Sequence, residues 1–293
     1  MENTLHKPVL LKEVLEYLNP QEGDVVVDAT FGFGGHAKEI LKIISSKGKL
    51  IGIDQDNQVL EISKSNFNQK NVKLICGNFR QIKKLLEKIE ITSVDKILFD
   101  LGVSSFHFDK SGRGFSFQND EPLDMRLSQT NATRAADLVN QLHDRELADL
   151  LYHLGDERNS RRIAKAIAEA RKAKKIETTG QLVEIINKVQ KYHDKIHPAT
   201  RTFQALRIAV NDELNSLSEA LPQAINLLKP SGRIVVISFH SGEDRLVKNI
   251  FKEFAKNKII EILTKKPIRP SEAEVIANPR SRSAKLRAAK KGG

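Results

Sequence analysis

The sequence of 293 residues predicts an α/β fold in which a parallel sheet, covered by helices on both faces, is interrupted by a helical insertion. Between about residue 24 and residue 103, short apolar runs alternate with amphipathic segments, which is typical of parallel strands joined by right-handed crossovers. A loop with three glycines follows the first apolar run, and an aspartate ends the second run. Residues after 131 then have helical periodicity without a convincing strand until apolar runs return after residue 232.

The first predicted strand is Val25–Asp28, and it leads into a loop that contains Gly32, Gly34 and Gly35 before a helical pattern begins at Ala37. The next strands and helices are predicted at Leu50–Asp54, Gln58–Lys64, Val72–Cys76, Phe79–Ile89 and Lys96–Asp100. Each strand ends in or near a polar residue. Open parallel sheets bind ligands at the carboxyl ends of their strands, so this edge is the predicted site.

The pattern changes near residue 104, where a loop rich in Gly, Ser, Asp and Asn is predicted over residues 105–131. Helices are then predicted at Ala135–Leu142, Arg145–Leu154, Arg161–Arg171, Gly180–Val189, Thr202–Asn211 and Glu213–Leu228. The last predicted strands are Arg233–Phe239, Lys258–Leu263 and Lys285–Ala288. We therefore expect one discontinuous domain, residues 1–112 and 212–293, and a helical insertion domain, residues 113–211.

The net charge of +11 suits a polyanionic partner, and nucleic acid is the first candidate, although a merely basic soluble enzyme is an equal alternative. The basic residues are concentrated in two clusters. Residues 158–175 hold eight Lys or Arg residues against one acid, and the tail from Pro279 carries Lys and Arg with no acid. Contact with phosphate groups is favoured for both clusters, against the alternatives of a solvated helix face and a frayed tail.

The sequence also predicts several absences. The first residues contain no apolar core of a signal peptide, and no apolar run is long enough to span a bilayer. The single Cys76 cannot form an intramolecular disulfide, and it is expected to be a buried, inert thiol. A cytoplasmic location and no membrane partner are therefore expected. His193 and His197 lack the carboxylates of a metal site, so no metal is expected.

The strand ends indicate the class of cofactor. Asp54 can accept hydrogen bonds from both hydroxyls of a ribose, and Phe79 can pack on a flat heterocycle. Asp28 and Asp100 flank the glycine loop. Their carboxylates would repel a pyrophosphate but suit the cationic sulfonium and ammonium groups of S-adenosylmethionine. The loop Gly32-x-Gly34-x-x-Ala37 also fits an NAD-dependent dehydrogenase. A non-catalytic RNA-binding or assembly factor is a third alternative.

Motifs in order along nearly the whole chain add a family resemblance. They are His6–Leu11, Phe31–His36, Asp100–Ser105, Arg113–Phe117, Pro122–Arg126, His197–Arg207, Ser238–Ser241 and Asn278–Ser283. The chain resembles the bacterial small-subunit rRNA (cytosine-N4)-methyltransferase family, RsmH or MraW. At two positions it departs from the usual family sequence, since His107 replaces a common Gln and Gly242 replaces a usual Leu.

The resemblance implies a Rossmann-like class I S-adenosylmethionine-dependent methyltransferase with a seven-stranded sheet. It implies methylation of the exocyclic N4 of a cytidine in the decoding region, near the P site, of 16S rRNA within the small ribosomal subunit. The helical insertion matches the family's small, RNA-binding domain, and a homodimer is one alternative for the oligomeric state. The implied cofactor contacts are Gly34, Gly35, His36, Asp54, Phe79, Asp100 and His107.

Chemistry at a cytosine amino group needs a hydrogen-bond acceptor, because the N4 lone pair is delocalised into the ring and attacks poorly. Asp100 is the candidate, and a purely cofactor-binding role is its alternative, since Asp100–Val103 lacks the Asp/Asn-Pro-Pro-aromatic motif of many amino-methyltransferases. His240 is expected either to bind the substrate or to order the loop after the fifth strand. Stacking on the unstacked base, or a hydrophobic seam between the domains, is expected of Phe106, Phe108, Phe115 and Phe117.

Overall fold

The computed structural model describes residues 8–190 and 197–293. The chain forms two compact units. The first unit consists of two segments of the chain, one up to Gly102 and one from Leu214 onwards. The second unit is the segment between them, Val103–Glu213. His6 and Lys7 of the first motif, and His193, lie outside the described residues. None of the helices in the described ranges has the length and apolar character needed to cross a membrane.

The first unit is built on a seven-stranded sheet in the order β3-β2-β1-β4-β5-β7-β6. β1 to β5 pair in parallel, and β7 is antiparallel to both β5 and β6. This arrangement confirms the predicted α/β class and the seven strands. The strands are β1 (Val25–Asp28), β2 (Lys49–Asp54), β3 (Val72–Cys76), β4 (Val94–Asp100), β5 (Leu228–Ser238), β6 (Ile260–Ile262) and β7 (Lys285–Lys291).

Helices cover the sheet of the first unit, and the regular structure of the second unit consists mainly of helices. Within the described ranges they are α1 (Leu11–Leu18), α2 (Gly35–Ile44), α3 (Asn57–Lys64), α4 (Ile82–Glu87), α5 (Ser105–Asp109), α6 (Ala135–Gln141), α7 (Asp144–Gly155), α8 (Ser160–Ala173), α9 (Thr179–Val189), α10 (Thr200–Asn211), α11 (Glu213–Leu227), α12 (Ser241–Lys256) and α13 (Glu272–Ala277).

The side chains of the central strands point alternately to the two faces of the sheet, so the core of the first unit forms two layers. Val27, Ile97 and Val236 belong to one buried cluster, together with residues of α4, α11 and α12. The neighbouring strand residues, among them Val26 and Leu98, belong to a second cluster with α1 and α2. Successive side chains of a strand point to opposite faces, so the central strands bury apolar side chains on both faces of the sheet.

Several elements differ from the predicted ones. α1, α5, α12 and α13 lie outside the predicted helices, and the predicted helix Phe79–Ile89 is a 3₁₀ turn over Phe79–Gln81 followed by the shorter α4. The fifth strand begins at Leu228 instead of Arg233. Leu228 pairs with Val94 before the register shifts, so residues 229–232 belong to an irregular first part of this strand.

Four of the six basic residues of the tail from Pro279 lie in β7, inside the sheet, so the alternative of a frayed tail is wrong for this stretch, and contact with phosphate groups stays a prediction. Arg287 is buried, and its guanidinium donates to the Asp244 carboxylate at 2.7 and 3.3 Å. Burial alone would raise the pKa of Asp244, but this hydrogen-bonded pair holds it below the usual range. Lys291 donates to the Ile225 carbonyl, and burial lowers the pKa of its ammonium group.

The expectation of a buried Cys76 is also wrong, because the residue is exposed. β3 has only β2 as a neighbour and is therefore an edge strand, and Cys76 is its last residue. An apolar run predicts burial only where both faces and both edges of the strand are covered. Desolvation and the nearby Asp54 and Asp56 carboxylates raise the pKa of the thiol, which keeps it protonated.

The second unit has its own core, formed by α6–α10 and by aromatic residues of the preceding loop. A polar network orders that loop. The Arg113 guanidinium donates to the carbonyls of Arg126 and Leu127, and Asp124 accepts two hydrogen bonds from the Arg126 side chain at 2.8 Å. Between them Met125 has a φ of +60°, a left-handed conformation that is costly for a side chain of this size. These contacts assign Arg113, Asp124 and Arg126 a structural role.

The Arg287–Asp244 pair predicts a stability difference within the basic tail. Arg287→Gln should lower the free energy of unfolding by about 2–3 kcal/mol, because it leaves a partly buried carboxylate without its guanidinium. Arg282→Gln, at an exposed position, should change it by less than about 0.5 kcal/mol. Urea unfolding of both variants checks this, and equal effects would contradict the structural role of Arg287.

Candidate functional site

Three aspartates lie at the carboxyl edge of the sheet, one at the end of each of three adjacent strands. Asp28 ends β1, Asp54 ends β2 and Asp100 ends β4. Asp28 is level with Gly52 and Leu98 of the neighbouring strands, so Asp54 and Asp100 each lie two residues further along. Since side chains alternate with a period of two, all three carboxylates are on the same face of the sheet.

The glycine loop after β1 reaches the first turn of α2 through Gly34, which caps the helix with a φ of +73°. A β-carbon built on Gly34 would lie 2.3 Å from the Phe67 ring and 2.9 Å from the Phe31 ring. These two rings pack edge to face at 4.9 Å and form the apolar support of the loop. Only glycine meets both requirements at this position, the left-handed backbone and the close aromatic contact.

Asp54 holds the loop in place from the neighbouring strand. One carboxylate oxygen accepts a hydrogen bond from the Gly32 backbone N–H at 2.8 Å, and the other accepts from the Asp56 N–H at 2.9 Å. The Gly32 N–H is thus used inside the protein. Asp54 therefore fixes the glycine loop against the end of β2.

His36 and Asp100 face each other across the site. His36, the second residue of α2, is buried, and its Nε2 lies 3.4 Å from Asp100 Oδ2. Among the described residues, neither His36 Nδ1 nor Asp100 Oδ1 has a hydrogen-bond partner, although both atoms are buried. Buried polar atoms are almost always paired, so these two mark a place where another molecule can supply the partner.

The end of β4 is positioned by a residue that the sequence interpretation missed. Thr30 Oγ1 accepts a hydrogen bond from the Asp100 backbone N–H at 2.6 Å, and the Thr30 N–H donates to Asp28 Oδ1 at 3.2 Å. Thr30 therefore links the ends of β1 and β4. A threonine after a strand-ending aspartate is a frequent turn residue, so the sequence contained no signal for this cross-strand bond.

Asp28 has a pKa far above the usual value of an aspartate. Burial raises its pKa to about 7, and the Asp100 and Asp54 carboxylates add to the rise, while His36 and the Thr30 N–H oppose it. About half of the Asp28 side chains are therefore neutral at pH 7. The electrostatic argument from two flanking carboxylates needs this correction, because Asp28 carries less than a full negative charge near pH 7.

Phe79 lies at the start of the turn that follows β3. Its ring is half-buried and packs edge to face against Phe99 at 5.6 Å. Hydrogen bonds connect this turn to the end of β2, since the Gly77 N–H donates to the Asp54 carbonyl and Asn78 Nδ2 donates to Gln55 Oε1. The structure thus holds Phe79 beside the Asp54 strand end.

His107 belongs to the second unit, where it is buried in α5. Its Nδ1 accepts a hydrogen bond from the Ser104 backbone N–H at 3.0 Å, and its ring packs against Phe115 at 5.1 Å. The imidazole thus caps its own helix.

The aromatic residues expected to stack on a base are largely used for packing inside the second unit. Phe115 is part of the core, and Phe108 packs on that core from its edge. Phe117 stacks on His197 at 4.6 Å and contacts Phe203 edge to face at 5.1 Å. These contacts favour a structural role for Phe108, Phe115 and Phe117.

His240 follows β5 and precedes α12, as expected from the sequence. Its Nε2 lies 3.2 Å from Glu243 Oε1, and the other oxygen of Glu243 accepts from the backbone N–H groups of Phe239 and His240. A β-carbon on Gly242 would lie 3.1 Å from His240 Nδ1. The small residue at position 242 therefore leaves room for the imidazole, and the contacts favour the loop-ordering role of His240.

The site combines the carboxylates of Asp54 and Asp100 with the aromatic ring of Phe79 at one edge of the sheet. Asp54 can take hydroxyl groups, Asp100 can attract a cationic group, and Phe79 can contact a flat ring. This set fits a small molecule that contains a sugar, a heterocycle and a positive charge.

Comparison with known proteins places the chain among methylases. A model of the MraW methylase family matches residues 3–292. A protein of Dictyoglomus thermophilum named ribosomal RNA small subunit methyltransferase H is 48% identical over 287 residues, which cover 97% of this chain and 96% of that protein. A protein of the same name from Ehrlichia canis is 46% identical over 294 residues, covering 97% and 99%.

The raised pKa of Asp28 predicts a pH dependence of stability. Between pH 3.8 and about 7 the folded protein keeps a proton on Asp28 that the unfolded chain has released, so stability falls as the pH rises through this range. From pH 5 to pH 8 the loss should be roughly 2–3 kcal/mol.

Asp28→Asn, which imitates the neutral acid, should remove this part of the pH dependence. Urea unfolding of both proteins at pH 5 and pH 8 measures the difference. An identical pH dependence in the wild type and the variant would show that Asp28 ionises with an ordinary pKa.

Proposed function

The chain belongs to the MraW methylase family, and from this premise we propose that it transfers the methyl group of S-adenosylmethionine to a cytidine of 16S rRNA. The acceptor would be the exocyclic N4 of one cytidine in the decoding region, near the P site, within the small ribosomal subunit. Relatives named ribosomal RNA small subunit methyltransferase H support the rRNA substrate. The N4 position and the location in the rRNA rest on the motif resemblance. Such a substrate would place the enzyme in the cytoplasm.

The residues at the carboxyl edge of the first unit fit this cofactor. Asp54, at the end of β2, is the type of acceptor that binds ribose hydroxyls, and the half-buried Phe79 ring has the character of an adenine contact. The unpartnered buried atoms of His36 and Asp100 suit the polar methionine end. When bound, S-adenosylmethionine supplies a methyl group already activated by its sulfonium charge.

The contribution of the protein is to orient the acceptor and take up its proton. An N4 amino group that attacks the methyl group develops positive charge, and a carboxylate that accepts its N–H hydrogen bond stabilises that charge. Asp100 is suited to this, because Oδ2 is held 3.4 Å from His36 while Oδ1 has no partner among the described residues. The hydrogen bond from the Asp100 backbone N–H to Thr30 fixes the strand end that carries this carboxylate.

The single observation that carries this proposal is the half-buried Asp100 carboxylate beside His36, on the sheet face that it shares with Asp28 and Asp54. An NAD-dependent dehydrogenase would bring a pyrophosphate towards this negative charge. We further propose that the second unit recognises RNA, that its His107 contacts the cofactor, and that Gly34 and Gly35 approach the cofactor through their backbone.

Replacing the proposed proton acceptor should abolish most of the activity. Asp100→Asn keeps the size of the side chain but removes its charge, so methyl transfer to small subunits should fall by about 100-fold or more. Asp149→Asn, at an exposed position of α7, is the matched control and should keep wild-type activity. Transfer of radiolabelled methyl groups measures both rates. Full activity of Asp100→Asn, with an unchanged fold by circular dichroism, would contradict the assignment.

The reaction product and the cofactor can be identified directly. Nucleoside mass spectrometry of small-subunit rRNA, incubated with S-adenosylmethionine with and without the protein, should show N4-methylcytidine only when the protein is present. In thermal unfolding, S-adenosylhomocysteine should raise the midpoint and NAD should leave it unchanged. Stabilisation by NAD alone would overturn the proposal in favour of a dehydrogenase. Intact rRNA without new methylation would favour a non-catalytic factor.

A further inference from the structure

The described structure separates the two basic clusters of the sequence, because the tail is largely taken up in β7 while the cluster around α8 is exposed. In the second unit, Arg158, Arg161, Arg162, Lys165 and Lys172 are all exposed, and we name them the α8 basic face. The opposite side of α8 is apolar and lies in the core of this unit, where Ile163, Ala164 and Ile167 are buried.

The α8 basic face consists of closely spaced cations. Residues three or four positions apart on a helix have β-carbons about 5–6 Å from each other, so Arg161 and Lys165 lie side by side on α8, and Arg158 lies in the turn just before the helix. None of these three makes an ion pair within the described part of the chain. The other two exposed cations of this face have partners within the protein. Arg162 donates a hydrogen bond to the Val189 carbonyl, and Lys172 forms an ion pair with Glu169 at 2.6 Å.

The position of the cations is unfavourable for the helix itself. Arg161 and Arg162 lie in the first turn of α8, and Arg158 precedes it, whereas the positive end of the helix dipole favours acidic residues there. The nearby acid Glu157 is only 3% exposed, and its carboxylate accepts a hydrogen bond from the Asn159 N–H. Cations that stabilise neither the core nor the helix are explained by attraction of a partner of opposite charge.

We propose that the α8 basic face binds the phosphate backbone of the small-subunit rRNA and thereby holds the substrate. This inference rests on the proposed function, which supplies an RNA partner. The cations and the helix dipole act together, because both favour phosphate groups at the start of α8. Recognition is through charge and independent of base identity, so it sets affinity for the subunit and leaves the choice of cytidine to other residues.

The test compares two triple variants with the same change in charge. R158Q/R161Q/K165Q removes three cations of the α8 basic face, and glutamine keeps nearly the helix propensity of the original residues. K83Q/K84Q/K88Q removes three exposed lysines at α4 of the first unit. Binding to purified small subunits, and to their isolated rRNA, is titrated at several KCl concentrations, and methyl transfer is measured as kcat and KM.

The α8 variant should bind at least about tenfold more weakly at moderate salt, and its slope of log affinity against log salt should be smaller by about 2–3. Its KM for the subunit should rise, while kcat and binding of S-adenosylhomocysteine stay at wild-type values. The α4 variant should match the wild type. Equal binding, salt slope and KM in the α8 variant and the wild type would overturn the proposal, as would an equal loss in both variants.

Failure of this proposal can be separated from failure of the proposed function. If the wild type forms N4-methylcytidine but the α8 variant binds normally, only the docking surface is wrong. If the wild type transfers no methyl group, the proposed function is wrong, and the binding titrations still judge the α8 basic face. Loss of binding to whole subunits with unchanged binding to isolated rRNA would indicate a ribosomal protein as the partner and overturn the RNA proposal.

Discussion

Parallel pairing of β1 with β2 and β4 is the constraint on which the site depends. Its register brings the three strand-ending aspartates to one face and one edge of the sheet. Neighbouring carboxylates repel one another, and each of the three aspartates has a different environment that reduces this repulsion. Backbone N–H groups bind Asp54, His36 faces Asp100, and Asp28 takes up a proton with a pKa of about 7.

This division of charge suits the proposed chemistry. A single exposed carboxylate would attract a cationic cofactor weakly in water, whereas Asp100 is largely buried and keeps one oxygen without a partner among the described residues. The neutral fraction of Asp28 limits the total negative charge beneath the loop. Thr30 is hydrogen-bonded to the backbone N–H of Asp100 and to the side chain of Asp28, so it links the ends of β4 and β1 that carry these two aspartates.

The second unit uses its polar residues for two different purposes. Inside it, Arg113, Asp124 and Arg126 satisfy each other and backbone carbonyls, and they hold the loop before α6 in a strained conformation. Outside it, Arg158, Arg161 and Lys165 have no ion pair in the described part of the chain. Sequence alone does not separate these two groups, because both consist of charged residues in segments of similar composition.

The sequence by itself determined the α/β class, the strand ends and the glycine loop, because each depends on local periodicity and on residues a few positions apart. Asp28, Asp54, Asp100 and Phe79 were identified in this way, whereas His36 was implied by the family resemblance. Only the tertiary structure decided which charges are buried, because burial depends on neighbours distant in the chain. In the folded protein Arg287 pairs with Asp244, and Cys76 is exposed at a sheet edge. Burial raises the pKa of Asp28, and Thr30 accepts a hydrogen bond from the Asp100 backbone N–H.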